Sequence, residues 1–261
     1  IPVAALGRPV EQAPWRAFSE MTGIPVVIDG AAAFEALIDA PRRFLGDSHL
    51  RAIATAEPEG RRFRLQGTVV AGFSSGELNA YRYENGRLVW QDQLARTSIR
   101  TSVASISDVD AHPVIDGGQV IAVGQGGRMV SLELISGQRQ WEINVAGIST
   151  PWVAGEWVFA ALDDGKVIAV ARSSGKIRWI SQLQAYRNTK NKTGPITYSG
   201  PVLAGNRLVL TRTSGQMVFV DPRNGNLIGG TDIGAPISLP PVVANSTLYI
   251  LDDDGRLHAF R

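Results

Sequence analysis

The chain has 261 residues, 44% of them hydrophobic, with 28 glycines, no cysteine and a formal net charge of +2. A charge so near balance gives no electrostatic footprint for nucleic acid, and the lack of cysteine excludes disulfides, thiol nucleophiles and cysteine-bound metals. No apolar stretch approaches the roughly 20 residues of a membrane-spanning helix, and Ile1 is not followed by a signal-peptide pattern, so an export signal or lipid anchor is expected to lie outside this sequence.

Residues 1–50 read as a short α/β segment of foreign character. Val10–Met21 has the spacing of a short amphipathic helix closed by Gly23. Ile24-Pro25-Val26-Val27-Ile28-Asp29 is an apolar run ending in an acid, as a buried parallel strand does, and Gly30–Ala40 reads as the start of another helix. Residues 51–66 are charged and irregular, with Arg51, Glu57, Glu59, Arg61, Arg62 and Arg64, and are expected to be linker.

From Gly67 onward the chain repeats itself with a fixed ruler. Pro113/Gly127, Pro151/Gly165, Pro201/Gly215 and Pro241/Gly255 are each 14 residues apart, and Gly76/Gly86, Gly127/Gly137, Gly165/Gly175 and Gly215/Gly225 are each 10 apart. Four residues after the second glycine stand Trp90, Trp141 and Trp179, and in the fourth unit Gly229. Between these marks lie short apolar runs such as Val120-Ile121-Ala122-Val123 and Val158-Phe159-Ala160-Ala161, which read as strands joined by glycine hairpins. Proline at a strand's first residue forfeits no ladder donor. Tryptophan on an outer strand supplies a large apolar face to fill the gap between neighbouring sheets.

Such units predict an all-β fold, a β-propeller of four-stranded antiparallel blades with about five units over residues 67–95, 111–146, 149–184, 199–234 and 239–261. A two-sheet sandwich is the alternative, but its strands keep no such constant spacing. Two departures stand out. The ruler expects an opening proline at position 62, where Arg62 stands, so the first unit is expected to lack its opening strand. The fifth unit's second turn glycine would fall past Arg261, so its fourth strand is expected to be missing. Five units can close a ring in principle. Tyr186–Gly194, with Lys190 and Lys192, reads as a basic solvated projection between units three and four.

The residues carry little sign of catalysis. His49, His112 and His258 lie in unrelated settings, with no serine–histidine–aspartate grouping. Gly124-Gln125-Gly126-Gly127 has no following helix and is a hairpin, not a phosphate cradle. Asp163-Asp164 and Asp252-Asp253-Asp254 precede glycines and read as turn chemistry before they read as metal ligands.

Two family resemblances are carried by particular residues. Ile1–Asp47, through Gly7-Arg8-Pro9-Val10 and Ile24–Phe34, resembles a piece of the pyridoxal-phosphate-dependent sugar aminotransferases, in which an aspartate at the position of Asp29 pairs with the cofactor's pyridine nitrogen. That chemistry needs a Schiff-base lysine, and no lysine precedes Lys166, so no cofactor is expected. Ser107-Asp108-Val109-Asp110 followed by Pro113-Val114, with Gly126-Gly127-Arg128-Met129-Val130, Trp141-Glu142-Ile143, Ser199-Gly200-Pro201-Val202-Leu203 and Leu239-Pro240-Pro241-Val242-Val243, resembles the BamB family of outer-membrane protein assembly factors over Gly67–Arg261.

That second resemblance implies a non-enzymatic periplasmic scaffold at the inner face of the outer membrane, without cofactor or metal. It also implies a protein partner, the central barrel-inserting subunit of the assembly machinery, held through that subunit's periplasmic repeat domains. The family's contact loop carries two acids, matched here by Asp108 and Asp110. Acids at i and i+2 entering a strand can point the same way and accept hydrogen bonds from an arginine or from strand-edge amides, or they can cap the turn before Pro113. The family's second contact, a leucine/arginine loop, falls on Arg61–Gln66, which does not match it. The family also has eight blades and a lipidated N-terminal cysteine, against five units and no cysteine here. A quinoprotein dehydrogenase shares the Gly…Trp spacing but commonly carries adjacent cysteines and a calcium site, and a generic peptide-binding propeller is the remaining alternative.

Overall fold

Glycine turns and apolar runs fold as their spacing predicts. The computed structural model describes residues 67–82, 85–94 and 109–261, together with the backbone of two strands upstream, β1 (Val27–Ile28) and β2 (Arg51–Thr55). There is no helix among the described residues, and the two helices expected near residues 10–21 and 30–40 lie outside them. Of the expected parallel strand at residues 24–29, Val27–Ile28 does pair in parallel, with Ile53–Ala54.

The first blade joins β2 to β3 (Thr68–Gly72), β4 (Glu77–Arg82) and β5 (Leu88–Gln93). The second holds β6 (Val114–Asp116), β7 (Gln119–Gly124), β8 (Arg128–Glu133) and β9 (Arg139–Ile143). The third holds β10 (Trp152–Ala154), β11 (Trp157–Ala161), β12 (Lys166–Ala171) and β13 (Ile177–Gln182). A small hairpin follows, β14 (Tyr186–Asn188) with β15 (Thr193–Pro195). The fourth blade is β16 (Tyr198–Ala204), β17 (Arg207–Arg212), β18 (Gln216–Val220) and β19 (Leu227–Asp232). The fifth has three strands, β20 (Val242–Ala244), β21 (Thr247–Leu251) and β22 (Leu257–Phe260).

One expectation fails. The first unit does not lack its opening strand: Arg51–Thr55, within the span read as linker, pairs antiparallel with β3 from Arg51↔Gly72 to Thr55↔Thr68. The connection to β3 is longer than the hairpin of later blades, which is why the 14-residue ruler passes over it.

Alternation explains why the middle strands are apolar throughout. In β7, Val120 and Ala122 face the first blade while Ile121 and Val123 face the third. In β11, Val158 and Ala160 face the second blade, and Phe159 and Ala161 the fourth. In β17, Leu208 and Leu210 face the third, and Val209 the fifth. Successive side chains of a strand point to opposite faces, and both faces of a blade are covered by neighbours. The core is therefore a series of four inter-blade clusters rather than one centre.

The first three joints are each locked by the tryptophan of the outer strand. The indole N–H of Trp90 donates to Leu134 O at 2.7 Å, Trp141 to Arg172 O at 2.6 Å and Trp179 to Pro222 O at 3.0 Å. Each ring lies flat against a turn glycine of the next blade. A Cβ on Gly137, Gly175 or Gly225 would sit 2.5, 2.8 or 2.5 Å from Trp90, Trp141 or Trp179. These glycines also carry positive φ values of 71°, 69° and 78°, so the turn and the ring both require the missing side chain. Burying an indole of about 200 Å² is worth up to about 5 kcal/mol. At the first joint, Arg139 adds a fork to Asp92, at 2.6 and 2.8 Å.

Trp141→Ala is expected to destabilise the chain by about 3–5 kcal/mol, and Trp141→Phe by about 1 kcal/mol more than its lost area, for the orphaned carbonyl. Gly175→Ala is expected to act at the same joint with a loss of at least about 2 kcal/mol. Guanidinium unfolding of the three variants checks this, and a Gly175→Ala chain as stable as wild type would contradict the dock.

Candidate partner-binding surface

Strand direction sorts the loops onto two ends. The turns between second and third strands, such as Gln125–Gly127 and Asp163–Gly165, share one end with the loops that lead into each blade. The loop into the second blade is held by what flanks Asp110. Val109 is 3% exposed and packs where a Cβ on Gly72 would be only 2.5 Å from it, and its N–H donates to Phe73 O at 3.3 Å. Ala111 is buried in the next cluster. Two anchors pointing inward leave Asp110 half-buried at the surface, where its Oδ2 accepts a hydrogen bond from Gln125 Nε2 at 3.2 Å. Asp108 lies outside the described residues, so Asp110 alone of the two expected contact acids has a described environment.

The fold brings further acids to this end. Asp163 and Asp164 sit in the equivalent turn of the third blade, and Asp163 N–H donates to Ala146 O at 3.1 Å. Partial desolvation pushes the Asp163 carboxyl above its ordinary value even though the residue keeps an exposed edge. The backbone N–H of Ile148 pulls the other way, and the charges of Asp164 and Asp110 raise it further. Asp110 therefore lies near enough for its charge to be felt at Asp163, across the joint between the second and third blades. The sequence marks Asp163-Asp164 as turn chemistry, which it is, with Lys166 paired to Asp164. Their nearness to Asp110 is a property of how the second and third blades pack. Beyond them a pocket of about 390 Å³ opens between Asp163, Gln182, Tyr186 and Thr197, at the foot of the β14–β15 hairpin. That hairpin is the expected basic projection, with Lys190 and Lys192 exposed.

The fifth blade's acids do different work. Asp252 is 3% exposed; it faces His258 Nε2 at 2.8 Å and accepts from Arg256 N at 2.7 Å. Asp253 takes both the N–H and hydroxyl of Ser238, at 3.0 and 2.9 Å. These carboxylates are used internally; Asp110 and Asp163 also accept internal donors, from Gln125 and the Ile148 N–H, but Asp110 is half-buried and Asp163 exposed. No group of three or more His, Asp or Glu among the described residues is placed to hold a metal.

Successive antiparallel blades, the first three docked by an outer-strand tryptophan on the next blade's turn glycine, define a β-propeller of the PQQ-like repeat class. A family model described as outer membrane protein assembly factor BamB matches residues 46–181, just over half of the chain, and the chain belongs to that family. The BamB of Moranella endobia (strain PCIT) is 24% identical over 193 residues, covering 74% of this chain and 47% of that protein. The Yersinia pestis BamB is 24% identical over 233 residues, 89% of this chain and 54% of that protein, an alignment that reaches upstream of residue 67. The crystal structure of BamB from Moraxella catarrhalis superposes with a TM-score of 0.59 at 18% identity, covering 78% of this chain and 56% of that one. The chain thus spans about half the length of the relatives it matches. The family match begins at residue 46 and lends nothing to the aminotransferase resemblance of the segment before it.

The hydrogen bond with His258, ahead of the bond from the Arg256 backbone and the charges of both residues, holds the Asp252 carboxyl below its ordinary value. A depressed native value means that Asp252 stabilises the fold at neutral pH and loses that contribution as pH falls through it. Asp252→Asn is expected to melt lower than wild type at pH 7. The gap should begin to close near the ordinary value of 3.8 and vanish only below it. Melting curves across that range check the sign.

Proposed function

We propose that this chain is a non-enzymatic scaffold of the outer-membrane protein assembly machinery, working in the periplasm against the inner face of the outer membrane. Its partner in this reading is the central barrel-inserting subunit, engaged through that subunit's periplasmic repeat domains. The observation that carries the reading is the family match, whose span ends at Trp179–Ser181 and includes the whole loop that presents Asp110. The geometry supports it: Asp110 is fixed by two buried neighbours and turned outward. A carboxylate held in that way can accept a forked pair of bonds from an arginine, or single bonds from the free amides of a strand edge.

The two acids act together in this proposal. Asp108 and Asp110 stand two residues apart, so in an extended segment their side chains share a face. Asp163 adds negative charge near Asp110 and steers a cationic partner surface toward the loop.

Binding of the purified chain to the isolated periplasmic repeat domains of a barrel-assembly subunit tests this. The double variant Asp108→Ala/Asp110→Ala is expected to weaken that binding at least about tenfold. Asp163→Asn is expected to have a smaller effect that disappears at high salt. Unchanged affinity in the double variant would remove the contact from this loop.

A further inference from the structure

The blade joints serve as controls for one another. At each joint the carbonyl that receives the tryptophan N–H belongs to the residue three positions before the docking glycine: Leu134, Arg172 and Pro222. The side chain of that residue decides whether the gap beneath the dock is filled. At the first joint Leu134 packs into the cluster. At the second, Arg172 spans the gap, donating from Nε to Gln119 Oε1 at 2.6 Å and from Nη2 to Asp116 O at 2.5 Å, and pairing with the Asp116 carboxylate. At the third, Pro222 has no side chain long enough, and Trp157 stands at the strand position that Gln119 occupies one blade earlier. The gap there is an open pocket of about 280 Å³ walled by Trp157, Phe159, Leu203 and Pro222.

This pocket has an apolar floor and a cationic rim. The Arg178 guanidinium lies 4.8 Å over the Trp157 ring and has no carboxylate partner among the described residues. Arg223, whose side chain is 85% exposed, is forked to Asp221 at 3.0 and 2.9 Å, which leaves its remaining N–H groups unengaged by that carboxylate. One acid against two arginines leaves the rim net positive. Exposed arginine beside tryptophan over an apolar cleft is also the composition of energetic centres in protein interfaces. Trp157 begins β11 next to the turn from β10, so the pocket opens at the end of the blades opposite Asp110.

We infer that this pocket is a second docking site, for an extended segment of a partner protein in which an aromatic side chain is flanked by Asp or Glu. The ring enters over Trp157 and Phe159, and the flanking acids pair with Arg178 and Arg223. A neutral apolar segment fills the same space but leaves Arg178 without an acid and Arg223 paired only to Asp221, and a basic one meets like charge.

The probe is the end-blocked peptide Gly-Asp-Phe-Asp-Gly, titrated into the whole chain by calorimetry. Saturable binding is expected, weakened about tenfold when both Asp are replaced by Asn or the Phe by Ala. Arg178→Gln, an exposed change that leaves the fold alone, should weaken it by about as much. Pro222→Arg, which rebuilds the filled second joint, should abolish it. Should Pro222→Arg fail to fold, Arg178→Gln and the peptide pair still decide. Absence of saturable binding to wild type, equal affinity for the Asn peptide, or equal affinity in Arg178→Gln would each overturn the site.

Discussion

An indole laid on a glycine, with its N–H spent on a neighbouring carbonyl, is the constraint from which the rest of this structure follows. The ring needs a flat, side-chain-free surface, so the turn of the next blade must carry glycine. The same glycine needs positive φ to close the hairpin. The N–H needs an acceptor three residues earlier, so the turn cannot drift in register. Two independent requirements on one residue fix the spacing of outer strand to next turn. Between these rivets the middle strands have only to be apolar on both faces.

Where the rivet is lost the outer strand stays uncovered. Gly229 holds the tryptophan position of the fourth blade, and β19 is exposed along its whole length, with Leu227 at 60% and Ile228 at 52%. The joint to the fifth blade relies instead on Ile237, Leu248 and Ile250 against Val209 and Met217, and on Thr211 and Ser199 hydroxyls donating to Leu239 and Ser238 carbonyls. The array is thus strongly tied in its middle and tied by other means at its last joint.

The blade plan was legible because hairpins and docks each demand a particular residue type. Gly127, Gly137 and Trp141 announce a turn, a second turn and an outer strand from their spacing alone. Innermost strands are marked in this ruler by an opening proline 14 residues before a turn glycine, so β2, which has none, read as linker. Asp110 was legible as a candidate through its loop. Its proximity to Asp163 was not, because the two belong to different blades and meet only through packing. The open third joint was equally hidden: Pro222 and Trp157 are ordinary residues in their own strands and turns, and their significance arises from Arg172 and Gln119 doing something different one blade earlier.

The docked blades also carry an evolutionary consequence. The second and third each contain both halves of the joint, a glycine seat for the blade before and a tryptophan for the blade after. A gene duplication that copies such a blade whole therefore copies a matched plug and socket, and the new unit fits its neighbours without compensating change. Deletion of a whole blade leaves an equally matched pair at the scar. Lineages built on this joint can lengthen or shorten their arrays in single steps, while a point change at the seat glycine costs both the turn and the dock. A unit like the fourth, which keeps the seat but has Gly229 in place of the plug, carries only half of the matched pair, and its far neighbour must be held by contacts of its own.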